Sequence, residues 1–327
     1  MCKVTQNIVT DLNEQPALMN ELISALTEFS TGTPWWDENY KRVLVIARGS
    51  SARVGELLVR SVAKSHPGLV TSFSPTDITA DQDLRNVLVI AISQSGSTDE
   101  VVRAAALAQQ NHAYVIAITN DPQSQLAKHC DYLVNLNLGP ERAVPATKTV
   151  TATALVLLMI ANVINGQKIE SKQWLLLPDL IQKVLKSKSN GLAQIPAFVL
   201  SRGVGTPIAM EAALKFTEIT KVPVVALSAN DFLHGTTAAL QPSDEVLLIS
   251  LADDDLPGGL DLVKKHLEAK AINWHVIDSS MFCNSDFPSS LQAIISLVQV
   301  QVCVLETCIN LGIDPDQDVG LTKITKT

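Results

Sequence analysis

Two stretches of this chain read alike. V-L-V-I-A-R-G-S-S at 43–51 and A-F-V-L-S-R-G-V-G at 197–205 each run from an apolar, β-branched segment into Arg-Gly and then into a helical pattern. N-V-L-V-I-A-I (86–92) and E-V-L-L-I-S-L (245–251) follow them in the same order. A short apolar run that ends in a turn and passes into a helix is the unit of a parallel sheet covered by helices. Its doubled order predicts an internal duplication, with two α/β domains of similar topology.

The rest of the chain divides around these units. Residues 1–40 read as an amphipathic helical segment around Leu18, Leu22 and Leu26, broken at Gly32 and Pro34. Domain 1 is expected over 41–165, with strands at 43–47, 69–73, 87–92, 113–118 and 132–136, a short helix after Pro122 and a long apolar helix near 147–165. The Lys-rich stretch 166–195 reads as a helical connector, and domain 2 with a C-terminal tail fills 196–327.

Composition narrows the function classes. The net charge is −8, so a nucleic-acid partner is not expected, because backbone phosphates call for a basic surface. Hydrophobic residues make up 46% and aromatic residues 4%, an aliphatic balance that suits buried parallel strands. The apolar stretches near 152–164 and 291–305 are short or interrupted by Gln299, Gln301 and Glu306. They read as core helices, and no membrane partner is expected. Five scattered cysteines without zinc-like spacing point to a reducing compartment. The N-terminus has no apolar signal-peptide core, and a cytoplasmic location is expected.

The chemical content begins at residues 87–103. Strand 87–92 ends in Ser93-Gln94-Ser95-Gly96-Ser97-Thr98, and a helix starts at Asp99. Backbone N–H groups, hydroxyls and the positive end of a helix dipole would meet there, which suits a phosphate. The second copy does not keep this turn: Ala252-Asp253-Asp254-Asp255 follows strand 245–251, and an acidic turn repels phosphate.

The second half offers acid–base groups instead. After Thr206, a candidate N-cap, and Pro207, the helix carries Glu211, Lys215 and Glu218 at i, i+4 and i+7 on one face. This spacing fits a proton relay, but taken alone it fits a solvated salt-bridged stripe better. The loop S-A-N-D-F-L-H-G-T (228–236) adds His234, a candidate proton shuttle. No metal-ligand cluster is visible, and no cofactor is expected.

S-Q-S-G-S-T (93–98), G-P-E-R-A-V-P-A-T-K-T (139–149), E-A-A-L-K-F-T-E-I (211–219), F-L-H-G (232–235) and L-T-K-I-T-K-T (321–327) together resemble the double-SIS (sugar isomerase) family. The likeness is to its amino-sugar-phosphate group, which includes SIS-type glucosamine-6-phosphate deaminases and the isomerase half of glutamine–fructose-6-phosphate transaminase. It runs from Glu14-Gln15-Pro16 to Lys323. It implies two tandem SIS domains, each a flavodoxin-like three-layer sandwich.

By that resemblance Ser51, Ser93, Gln94, Ser95 and Thr98 hold the 6-phosphate, and Gly49, Ser50, Val144 and Thr147 line the sugar pocket. Glu218 moves a proton between carbons 1 and 2, Lys215 stabilises the enediol-like intermediate and Glu211 is its relay partner. His234 opens the ring from the partner subunit of a homodimer, and Lys323 closes over the open-chain sugar. Asp231, Thr236 and Pro145-Ala146 depart from the family's commoner Glu, Pro and Ala-Ser.

Met1-Cys2 echoes the glutaminase nucleophile of the synthase, but the SIS pattern starts near residue 40, where a glutaminase domain does not fit. The expected activity is therefore a glucosamine-6-phosphate deaminase, releasing ammonia and fructose 6-phosphate. A galactosamine-6-phosphate deaminase/isomerase, a deglycase for sugar-amine phosphates and a non-catalytic sugar-phosphate sensor remain the alternatives.

Overall fold

The computed structural model describes residues 6–31, 35–167, 172–187, 191–251, 259–284 and 286–317. Its elements run α1 (Gln6–Thr31), β1 (Arg42–Ile46), α2 (Gly49–Ala63), β2 (Val70–Phe73), β3 (Val87–Ile92), α3 (Asp99–Gln110), β4 (Tyr114–Thr119), β5 (Tyr132–Asn135), α4 (Lys148–Ile164) and α5 (Lys172–Lys186). There follow β6 (Phe198–Ser201), α6 (Thr206–Thr220), β7 (Val225–Ser228), α7 (Ala229–Leu233), β8 (Glu245–Ser250), α8 (Gly259–Ala269), β9 (Asn273–Asp278) and α9 (Ser289–Asn310). The short helix expected after Pro122 is a single 3₁₀ turn, Leu126–Lys128.

The chain forms two compact units, and each is assembled from separated segments. The first comprises residues 18–141 and 148–174, the second 6–17, 142–147 and 175–317. They differ from the contiguous division read from the sequence in that the start of α1 and a hexapeptide at 142–147 belong with the later unit. The cause is polar and apolar tethering by α9: Gln15 Nε2 donates to Gln301 Oε1 at 2.8 Å, and Ile8, Leu12 and Ala143 pack with Leu305. The stretch expected as a helical connector, 166–195, holds the helix α5 (Lys172–Lys186).

The first unit holds a five-stranded sheet in the order β2-β1-β3-β4-β5, parallel throughout. All six residues of β3 are buried, as a central parallel strand covered on both faces requires. Its core is aliphatic, with Leu44, Ile46, Val89 and Ala91 of the sheet against Val101, Ala104 and Ala108 of α3.

The second unit holds a four-stranded parallel sheet, β7-β6-β8-β9. This is the first sheet's order less one edge strand. Phe198 and Phe232 meet edge-on at 5.3 Å in a core completed by Leu200, Leu248 and Val263. The two Arg-Gly turns also match: Arg48 and Arg202 have φ, ψ of −131°, 163° and −138°, 162°, and Gly49 and Gly203 have φ of +54° and +49°.

α9 is longer than the apolar stretch expected at 291–305. It is long and apolar enough to cross a membrane, but most of it is buried in the protein, where it packs against α6. It is the core helix of its unit.

Candidate functional site

In the first unit the chain leaves β1 and turns back to β2 on one side, then leaves β3 and passes to β4 on the other. The strand order thus reverses between β1 and β3, the position where open α/β sheets bind ligands beyond the carboxyl ends of their strands. The two segments that emerge there are Gly49-Ser50-Ser51 and Ser93–Thr98.

The second segment is built as a nest. Gly96 takes φ +61°, and its N–H donates to Ser93 O at 3.0 Å. A Cβ on Gly96 would lie 2.0 Å from Ser124 Oγ, so the turn needs glycine for both conformation and space. Thr98 stands at the N-cap of α3, yet its hydroxyl caps nothing. It pairs instead with Ser93 Oγ at 2.9 Å. Ser95 Oγ accepts from Ser97 N at 3.3 Å and from Ser97 Oγ at 2.9 Å. A helix N-terminus without a side-chain cap keeps its amides for an anion.

Two acidic residues, Asp99 and Glu100, sit in the first turn of α3. Glu100 is neutralised by Arg48 Nε at 2.5 Å, which ties the turn after β1 to the helix after β3. Ser51, Gln94, Ser95 and Thr98 are partly exposed and Ser93 is buried. The five expected phosphate ligands therefore lie on the two segments that follow β1 and β3, where the strand order reverses.

In the second unit Glu211, Lys215 and Glu218 are drawn together on α6. Lys215 Nζ lies 2.7 Å from Glu218 Oε2 and 3.3 Å from Glu211 Oε1. Side-chain exposure is 4% for Lys215, 1% for Glu211 and 25% for Glu218. The stripe is not solvated, contrary to the reading favoured by spacing alone: α6 packs against β6, β7 and α9, and this face turns inward. Burial drives the Lys215 pKa down, but the charges of Glu211 and Glu218 outweigh it and hold the ammonium above its ordinary value. The cluster can thus keep a charged lysine beside a half-open carboxylate, the arrangement a proton transfer with oxyanion stabilisation needs.

The start of α6 differs from expectation. Thr206 is already helical (φ −57°, ψ −44°), because a 3₁₀ turn at Gly203–Gly205 precedes it, and Gly205 is the N-cap. At the other end Lys221 adopts φ +60° and donates to Glu218 O at 2.7 Å, which closes the helix on the catalytic candidate.

The loop expected at 228–236 contains α7. Ser228 caps it by accepting from Asp231 N at 3.2 Å and donating to Asp231 Oδ2 at 2.7 Å. His234 is the C-cap residue and is exposed. Val144 is partly buried and Thr147 buried. Lys323 lies outside the described residues.

Sequence reasoning missed the groups that hold the 142–147 hexapeptide. Asp11 is fully buried. Its carboxylate accepts from Arg142 N at 2.6 Å, Ala143 N at 2.8 Å and Arg142 Nη1 at 3.0 Å. Glu14 takes the same guanidinium nitrogen at 2.9 Å. Gln301 Nε2 donates to Thr147 O at 3.2 Å. Three charge-assisted bonds are what make a buried carboxylate tolerable. Asp11 gives no signal in the sequence, because it sits in an ordinary amphipathic helix far from its partners. A second buried carboxylate, Glu141, caps α4 by accepting from Lys148 N at 3.2 Å, Thr149 N at 3.1 Å and the Thr149 hydroxyl.

Among the described residues no group of three or more His, Cys, Asp or Glu is placed to hold a metal ion. Cys130, Cys283, Cys303 and Cys308 are free thiols.

Comparison with known proteins bears on the family and the fold. The SIS domain family model matches residues 38–163. The glutamine–fructose-6-phosphate aminotransferase of Thermococcus kodakarensis is 28% identical over 97% of this chain and 57% of its own. The chain spans about half the length of the curated relatives it matches. Among solved structures, the C-terminal domain of glucosamine-fructose-6-phosphate aminotransferase from Francisella tularensis shares the fold with a TM-score of 0.79, at 20% identity, over 96% of this chain and 99% of its own. The glucosamine-6-phosphate deaminase of Thermotoga maritima does so with a TM-score of 0.75, at 21% identity, over 96% and 98%. The chain carries an SIS domain at residues 38–163 and is homologous to the isomerase part of the glutamine–fructose-6-phosphate aminotransferases.

Proposed function

We propose that this protein is an amino-sugar-phosphate deaminase/isomerase, with glucosamine 6-phosphate as substrate. The observation that carries the reading is the buried Glu211–Lys215–Glu218 cluster. A sensor of sugar phosphates would need the nest at Ser93–Thr98, but not an ionised lysine held between two carboxylates at the mouth of a helix face.

In this mechanism Ser51, Ser93, Gln94, Ser95 and Thr98 bind the 6-phosphate, and Gly49, Ser50, Val144 and Thr147 border the sugar. His234, supplied by the partner subunit of a homodimer, assists ring opening. Its exposure in the single chain leaves it available for that role. Glu218 takes the proton from carbon 2 of the open aldose and returns it to carbon 1. Lys215 stabilises the oxyanion that develops on the carbon 1 oxygen, and Glu211 keeps Lys215 charged. The carbon 1 oxygen takes up the proton that the carbon 2 amine gives up, and the product carries an imine at carbon 2, which water hydrolyses to the ketone with release of ammonia. Lys323 covers the open chain. The matching strand orders and Arg-Gly turns support the second unit as a second SIS-type domain. The free thiols support a reducing, cytoplasmic location.

The test is a panel of amino-sugar 6-phosphates with coupled detection of ammonia and ketose phosphate. Glucosamine 6-phosphate should be turned over, and Glu218→Gln should lower kcat about 10²–10⁴-fold. Full activity in that variant would remove Glu218 as the base. Release of ketose phosphate only from galactosamine 6-phosphate or from a glycated amine would move the substrate to one of those classes. Mixing His234→Ala and Glu218→Gln subunits should restore part of the activity, and no rescue in verified mixed dimers would count against a shared site.

A further inference from the structure

We propose that the first turns of α1, with α9, form a strap that sets the hexapeptide 142–147, and that Asp11 and Gln301 are positioning residues for the sugar-binding segment. The inference rests on the reading above only for what Val144 and Thr147 touch. The strap itself is a set of hydrogen bonds and apolar contacts in the structure. Asp11 and Gln15 are one helical turn apart on α1, so they share a face.

Asp11 fixes the front of the hexapeptide through two consecutive backbone amides, Arg142 N at 2.6 Å and Ala143 N at 2.8 Å. Gln301 fixes its end through Thr147 O at 3.2 Å, and Gln15 orients Gln301 through a 2.8 Å bond to its Oε1. Apolar packing of Ile8, Leu12 and Leu305 around Ala143 closes the same ring of contacts. Between the two anchors the backbone carries Val144, Pro145 and Ala146. A segment pinned at both ends and stiffened by proline presents its side chains at fixed positions, and small displacements of such a support are felt strongly in binding.

Apart from the Arg142 guanidinium on Asp11, the bonds of Asp11 and Gln301 to the hexapeptide go to its backbone atoms. What they control is where residues 143–147 stand, whatever the side chains there are. The substrate they favour is one whose carbon chain lies against a rigid wall, so the strap should act on sugar affinity and not on phosphate affinity.

The experiment compares wild type with Asp11→Asn and Gln301→Glu. The second keeps an acceptor for Gln15 but replaces the donor to Thr147 O with a carboxylate oxygen. Hydrogen exchange of the peptide spanning 141–149, binding of fructose 6-phosphate and of inorganic phosphate by calorimetry, and kcat and KM are measured. Leu22→Ala, a buried position further along α1, serves as a control that loses stability without touching the strap. The strap predicts faster exchange at 142–147, about tenfold weaker fructose 6-phosphate binding, a matching rise in KM with kcat little changed, and unaltered phosphate binding in both variants. Unchanged exchange there, or unchanged sugar affinity despite faster exchange, overturns it, as does an equal loss in Leu22→Ala. If Asp11→Asn does not fold, Gln301→Glu decides alone. A wild type that binds fructose 6-phosphate but deaminates nothing would sink the proposed reaction and leave the strap to be judged on binding. One that binds no sugar phosphate would overturn both.

Discussion

Lys215 donates to Glu218 across 2.7 Å from a position that is itself almost wholly buried. The ammonium is out of water and depends on two carboxylates for its charge. Replacing it with Met strands the buried Glu211 carboxylate, and loss of one partner of a buried pair costs about 3–5 kcal/mol. Urea unfolding should show that loss in Lys215→Met, and Glu211→Gln added to it should recover a substantial part. Glu218→Gln, at the open end, should cost about 1 kcal/mol or less while removing most of the activity. A Lys215→Met variant as stable as wild type would mean that the cluster is not paired in solution.

The same cluster sets a pH window. The Lys215 pKa is raised above its ordinary 10.5 in the folded protein. A raised pKa means that the folded state holds its proton more tightly than the unfolded state. Its contribution to stability is complete below about pH 10.5 and is lost as pH rises through the folded value. Between about pH 6 and pH 9 thermal stability should show no loss assignable to this lysine. Lys215→Met should therefore erase part of an alkaline destabilisation that wild type shows only above about pH 10.5. A wild-type transition near neutrality that disappears in Lys215→Met would contradict the assignment.

The two phosphate-side turns should respond differently to a methyl group. Gly49 has φ +54° and open space where a Cβ would stand, so Gly49→Ala should cost about 1 kcal/mol from conformation alone. Gly96 has φ +61° and would drive a Cβ into the Ser124 side chain and to within 2.9 Å of Thr119 Oγ1. Gly96→Ala should cost about 2–4 kcal/mol and weaken phosphate binding, because Ser124 must move and the nest opens with it. Thermal unfolding and phosphate titration of both variants provide the check. Equal effects would show that the steric part is relieved by a simple rotation of Ser124.

What the chain revealed in advance follows from how its elements are buried. The central strands β1, β3, β4, β6 and β8 stand out because both of their faces are covered, which leaves solid apolar runs. β7 is four residues long and follows Pro223, and β9 alternates exposed and half-buried residues over N-W-H-V before the buried Ile277. Neither makes a run, and neither was anticipated. The nest was legible because a phosphate site is local: Ser93 to Thr98 are neighbours in sequence. Helical spacing brought Glu211, Lys215 and Glu218 to one face but could not show whether that face meets solvent or α9. Asp11, Gln15 and Gln301 were invisible, since their meaning lies in bonds to groups more than a hundred residues away: backbone for Asp11 and Gln301, the Gln301 side chain for Gln15.

The tether between α1 and α9 also orders the protein's assembly in time. The first sheet needs nothing beyond Asn135, so its strands can pair while the rest of the chain is still being made. Gln15 must wait for Gln301, and the amides of Asn7 and Ile8 must wait for the carboxylate of Asp316, at 2.9 and 3.1 Å. Closing so long a span is slow relative to local pairing. Until it happens, the apolar face of α1 around Ile8 and Leu12 has Ala143 and Leu185 to pack on but lacks Leu305, so its burial is completed only by the last helix of the chain.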